Sequence, residues 1–188
     1  MKKVSDNILQ EELLIKRIKK GDSAAWRELY NTHAGALFAT CQRYLSDDED
    51  VKDVMQEAFI LAFRNIDTFV FKKDGGLRLW LNTIVTNQAL KLIRKRGAMP
   101  TSELIDNCDF TDDDISELDD IPPDIIHEMV RDLPIGYRTV LNLFIFEDKS
   151  HEEISQLLGI SKLTSASQLC RAKKLLHQML LDYKRRNR

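Results

Sequence analysis

Thr164, Ser167, Gln168 and Arg171 follow one another at i, i+3, i+4 and i+7, the spacing that gathers side chains on one side of a helix. Two hydroxyls, an amide and a guanidinium on one surface can hydrogen-bond base edges and phosphates. Ser165, Leu169, Ala172 and Leu176 recur at helical spacing on another face and are expected to pack inward as a weakly apolar stripe. A solvated helix face has the same composition, so the residues that precede it have to separate the two readings.

Those residues are "SHEEISQLLGIS". Ser150 with Glu153 three residues later is a capping-box signature, and Ile154, Leu157 and Leu158 form an apolar stripe that ends at Gly159. Gly159 suits a left-handed C-cap, Ile160 can bury in the turn, and Ser161 can cap the next helix. This order of cap, short helix, glycine turn and second helix is that of a helix-turn-helix, whose second helix enters the major groove. Paired helices joined by glycine also occur without a DNA partner, so the motif alone leaves both readings standing.

The chain around them has 188 residues, 43% hydrophobic and 31% charged, with only seven Gly and four Pro. That composition predicts an all-α protein. The N-terminus meets Ser5, Asp6 and Asn7 where a signal peptide needs apolar residues, and no apolar run approaches a membrane span, so a cytoplasmic location is expected. Cys41, Cys108 and Cys170 stand apart from one another and from the histidines, which indicates neither a disulfide framework nor a zinc site. No cofactor, metal or catalytic residue is expected: HExxH, a phosphate-cradling glycine loop and a nucleophile elbow are all missing.

Charge divides the chain. Residues 98–123 hold nine acidic residues and no basic one, so the remainder carries +7 against −2 for the whole. This segment has little helical periodicity and closes on Pro122 and Pro123, as a linker does. The expected organisation is two small helical domains, 1–97 and 124–188, joined by an acidic linker over 98–123. The linker's charge could shield the basic modules before they meet DNA, or simply keep a tether solvated and extended.

In the first half, a helix near Ile8 to Lys19 is followed by a long one from an Asp22 cap, with Trp26, Leu29, Tyr30, His33, Leu37, Phe38, Cys41 and Tyr44 on its expected core side. A third begins at Ser46 and Glu49 in capping-box spacing, with Val51, Val54, Met55, Ala58, Phe59, Ala62 and Phe63 for the core. Asp50, Asp53 and Gln56 wind a polar ridge around it that the fold alone does not require. The loop "DTFVFKKDGG" puts Phe69 and Phe71 beside Lys72 and Lys73, either π-faces and cations for single-stranded nucleic acid or an apolar anchor. The next helix buries Trp80, Leu81, Ile84 and Leu92 in this reading and ends in Lys91, Arg94, Lys95 and Arg96.

The order Asp50-x-x-Asp53-x-x-Gln56-x-x-Phe59, Trp80-Leu81-x-x-Ile84-x-x-Asn87, acidic linker, Leu133-Pro134-x-x-x-Arg138-x-Val140, then Glu153-Ile154 and the helix-turn-helix resembles the bacterial extracytoplasmic-function (ECF, group IV) sigma factors. The resemblance covers nearly the whole chain. It implies a region 2 bundle and a region 4 helix-turn-helix, with core RNA polymerase and promoter DNA as partners, a probable anti-sigma factor, and no small-molecule substrate. By the same resemblance Asp50, Asp53 and Gln56 meet the polymerase. Phe71, Lys72, Lys73, Asn87, Arg94 and Lys95 serve the start-proximal promoter box. Arg138, Ser161, Lys162, Thr164, Ser167, Gln168, Arg171 and Lys174 serve the upstream box, Arg138 through the DNA backbone. Leu77, Lys91, Ser165, Ala166 and Gln168 depart from the commoner residues of the family, which leaves fewer cations for phosphates on the recognition helix. The alternative is a polymerase-independent helix-turn-helix regulator, in which the aromatic-basic loop would have no task.

Overall fold

The structure is a computed structural model whose described residues are 2–71, 75–97 and 121–187, with side chains from residue 8 onward. Lys72, Lys73 and nearly all of the acidic linker lie outside them. Every regular element among the described residues is a helix: α1 (Lys2–Lys19), α2 (Ser23–Tyr44), α3 (Asp48–Asn65), a 3-10 turn (Ile66–Thr68), α4 (Gly76–Lys95), α5 (Pro123–Asp132), α6 (Ile135–Ile145), α7 (His151–Leu158) and α8 (Lys162–Arg186). The chain divides into two compact units, Met1–Ala89 and Leu90–Arg188. The division falls inside α4, between Ala89 and Leu90.

In the first unit α2 begins at Asp22, whose carboxylate accepts from the amides of Ala24 (2.9 Å) and Ala25 (3.2 Å). Arg17 pairs with that carboxylate at 2.8 Å and with Glu28 at 2.8 Å, tying the end of α1 to the start of α2. The α3 cap is Asp47 rather than Ser46: its carboxylate takes the amides of Glu49 (2.8 Å) and Asp50 (3.3 Å). An aspartate one residue later reaches the same bare amides and adds a charge that suits the helix dipole. Leu29, Leu37, Cys41, Tyr44, Val51 and Ala62 form the interior. Burial pushes the Cys41 thiol up to about 12, so it stays protonated and inert. On α4 the buried residues are Leu77, Leu81, Val85, Ala89, Leu90 and Ile93, while Trp80, Ile84 and Leu92 are half-buried. The inward face is thus rotated from the expected one.

In the second unit α8 is the spine, packed against α5, α6 and α7. Ser150 and Glu153 form the reciprocal capping box, Gly159 takes φ 67° at the end of α7, and Ser161 caps α8 by accepting the amide of Thr164 at 3.0 Å. A side chain at Gly159 would be strained whatever space surrounds it. Cys170 on α8 is disulfide-bonded, against the expectation of three isolated thiols.

Candidate nucleic-acid and polymerase interfaces

The helix-turn-helix is built as its sequence grammar implies, but the four-residue face of α8 splits. Ser167 and Arg171 are half-buried, and Lys162 and Lys174 are exposed. Thr164 and Gln168 are buried, Gln168 to 4% exposure with its Oε1 enclosed and unpartnered. Their expected place on the open surface is therefore corrected. The inward arc of α8 spans Thr164, Ser165, Gln168, Leu169 and Ala172, because this helix is covered by α6 on one side and α7 on the other. An arc that wide takes in positions which i, i+3, i+4 spacing alone assigns to a separate face. Ser161 is exposed and its hydroxyl is shared with the Thr164 hydroxyl at 2.8 Å.

Arg138 is corrected in the same way. It is 4% exposed and donates through Nη1 to the carbonyl of Arg131 near the end of α5. Its Nε has no hydrogen-bond partner. Burial pulls its pKa below the ordinary arginine value, with Arg131 acting in the same direction and Asp132 against it. A guanidinium held there ties α6 to α5 and is enclosed rather than displayed on the surface.

His151 is a residue that sequence reasoning passed over. Its Nδ1 lies 2.9 Å from Ser165 Oγ, and its ring stacks on Phe144 with centroids 5.0 Å apart. One side chain thus joins α6, α7 and α8 across the turn. Burial holds its pKa below the ordinary histidine value, helped by Lys162 and Lys173. "SHEEIS" reads from sequence as a cap alone, and its only hint of a further role was a histidine in the first helical position.

In the first unit Asp53 and Gln56 are exposed on α3 and Asp50 is half-buried. Beside them the expected core aromatics come to the surface. Phe63 is 62% and Tyr30 52% exposed; Trp26 packs tilted against Phe63 and Tyr30 against Phe59, with centroids 5.0 and 4.8 Å apart. These rings and Gln56 line an open groove of about 1030 Å³ between α2 and α3. The apolar spacing of the two helices is wider than the core they share, so Tyr30 on α2 and Phe63 on α3 are left outside it.

The loop after α3 is anchored by Phe69, which is buried and packs tilted against Trp80 with centroids 5.1 Å apart. Phe71 is half-buried and Val70 exposed. Of the two readings of this loop, the apolar anchor holds for Phe69. Asn87, Arg94 and Lys95 are exposed along α4.

Two family models match this chain: Sigma-70 region 2 over residues 29–99 and Sigma-70, region 4 over residues 124–176. Together they cover well over half of it. The chain belongs to the sigma-70 family. Its curated relatives make it an ECF-type sigma factor. It is 28% identical to the ECF RNA polymerase sigma factor SigW of Bacillus subtilis, over 89% of this chain and 95% of that protein. It is 27% identical to the ECF RNA polymerase sigma-E factor of Escherichia coli K12, over 89% and 93%. A solved structure of CnrH in complex with the cytosolic domain of CnrY aligns over 91% of this chain and 96% of that one, at 25% identity and a TM-score of 0.48. As a sigma factor the chain is a transcription initiation factor, binding core RNA polymerase and directing it to promoter DNA. This sets aside the polymerase-independent regulator. Among the described residues no helix is long and apolar enough to cross a membrane.

Proposed function

We propose that this sigma factor docks on core RNA polymerase through the α2–α3 groove and the adjoining ridge of Asp50, Asp53 and Gln56. The observation that carries this is two tilted aromatic pairs, Trp26 with Phe63 and Tyr30 with Phe59, each with one ring exposed to solvent. A contiguous apolar patch rimmed by polar residues is the usual form of a protein interface. The start-proximal promoter box is assigned to Phe71, Lys72 and Lys73 of the loop and to Asn87, Arg94 and Lys95 of α4, as π-face, amide and cations for an unpaired strand. The upstream box is assigned to Ser167 and Arg171 at the base edges, with Ser161, Lys162 and Lys174 at phosphates.

In this reading the protein is a group IV member acting in the cytoplasm, and an anti-sigma factor holds it idle by covering the aromatic groove. The test is transcription in vitro with purified core polymerase on fragmented genomic DNA, with and without the protein. Discrete new transcript starts are expected, and they should vanish with Phe63→Asp while the upstream-box module keeps its DNA affinity. New starts that survive Phe63→Asp would remove the groove from the reading; no starts and no binding to core would remove the reading itself.

A further inference from the structure

In the stripe of Ser165, Leu169 and Ala172 along the inward side of α8, the first member is polar and yet fully enclosed, at 0% exposure. A hydroxyl buried that deeply needs a hydrogen-bond partner. It finds one on another helix: His151 Nδ1 lies 2.9 Å from Ser165 Oγ. The contact forms with either group as donor, because a serine hydroxyl turns to suit the imidazole tautomer.

The imidazole is itself held in place by its neighbours. Its backbone sits inside the capping box, where Ser150 Oγ accepts the Glu153 amide at 3.2 Å and Glu153 Oε2 accepts the Ser150 amide at 2.9 Å. Its ring stacks on Phe144 of α6 with an interplanar angle of 25°. Thus α7 fixes where the ring stands, α6 fixes its plane, and its nitrogen is aimed at α8. Ser165 is the fourth residue of α8, within the N-terminal part of a recognition helix that meets base edges. Ser167 and Arg171 follow about 3 and 9 Å further along the axis.

Apolar packing is non-directional and lets a helix turn or slide slightly against its neighbours. A hydrogen bond weakens steeply away from its preferred distance and angle, so this one fixes both the rotation and the height of α8. Base readout requires such placement, with side chains held within about 0.5 Å of their productive positions. We propose that His151 and Ser165 form a polar pin that seats the recognition helix for the upstream promoter box. His151 is a positioning residue, acting through Ser165 on the helix that carries Ser167 and Arg171. The proposal rests on the assignment of α8 to the upstream box.

The test uses the full chain assembled with core polymerase and two labelled duplex promoters taken from mapped transcript starts. One is natural and the other has only its upstream box scrambled, so the ratio of their affinities reads upstream-box recognition. His151→Phe keeps a ring for Phe144 and loses the nitrogen; Ser165→Ala loses the hydroxyl. Each should lower the ratio about fivefold, and the double variant should lose no more than either, since both remove the same contact. His151→Asn, whose amide can reach the place of Nδ1, should recover part of the loss. Affinity for the scrambled duplex and for core polymerase should not change. Arg171→Ala separates the two layers of the argument. A ratio that falls in Arg171→Ala but not in His151→Phe or Ser165→Ala overturns the pin, as do losses that simply add in the double variant. A ratio that does not fall in Arg171→Ala overturns the assignment of α8 on which the pin rests. Parallel loss on both duplexes, unrelieved in His151→Asn, would mean that the pair only maintains the fold, and it too overturns the inference.

Discussion

Gln168 and Arg171 are three positions apart on α8, yet the first is enclosed with its carbonyl oxygen unpartnered and the second is half-exposed. Changing them should therefore have different consequences. Arg171→Ala should cost about 1–3 kcal/mol of upstream-box binding and relax base preference there; gel-shift titration on duplex promoters measures it. Arg138→Met should leave the dependence of DNA affinity on salt unchanged, because a buried guanidinium releases no counterion. Lys174→Ala should lower the slope of log K against log salt by about 0.9. A reduced slope in Arg138→Met would return that residue to the DNA surface. His151 offers a test by pH. Its folded pKa lies below its unfolded value, so its contribution to stability is complete above about pH 6.5 and is lost as the pH falls toward the folded pKa. Thermal melts from pH 8 to pH 5 should show a decline that is shallower in His151→Gln, since the variant has no proton to take up.

At the scale of elements, two short devices fix the recognition helix: the Ser150–Glu153 box that opens α7 and the left-handed Gly159 that closes it. Ser150→Ala should destabilise the second unit by about 1 kcal/mol, read from denaturant midpoints, with no effect on polymerase binding. In the first unit the comparable feature is the surface between α2 and α3. Leu29 is fully buried, and Leu29→Ala should cost about 2–5 kcal/mol. Phe63→Asp, at an exposed ring, should lie within about 0.5 kcal/mol of the parent while abolishing association with core polymerase. That contrast separates a core position from an interface position on two helices whose apolar spacing looks the same.

At the scale of the whole molecule, the 26 residues from 98 to 123 would average about 28 Å end to end as a flexible coil, with a limit near roughly 90 Å. Promoter boxes about one and a half helical turns apart are separated by roughly 50 Å. The linker spans that distance only when stretched, so the free protein should not bind both boxes tightly at their natural spacing, whereas the holoenzyme should. Varying the spacing in a two-box duplex and comparing free protein with holoenzyme measures this directly; equal spacing preference in both would contradict it.

The amino-acid order by itself determined the helical class, the caps at Asp22, Ser150 and Ser161, the glycine turn of the helix-turn-helix, and the motif order that resembles the family. All of these depend on neighbours within a few positions, where backbone geometry and side-chain chemistry are local. Tertiary packing alone decided that Thr164, Gln168 and Arg138 turn inward, that Phe63 and Tyr30 turn outward, and that Glu11 and Lys19 reach residues about 50 to 65 positions away. The periodicity of a helix shows which residues share a face, but the width of the buried arc is set by how many neighbours pack against it. For α8 that arc is widened by α6 and α7, and for α2 and α3 it leaves Tyr30 and Phe63 outside.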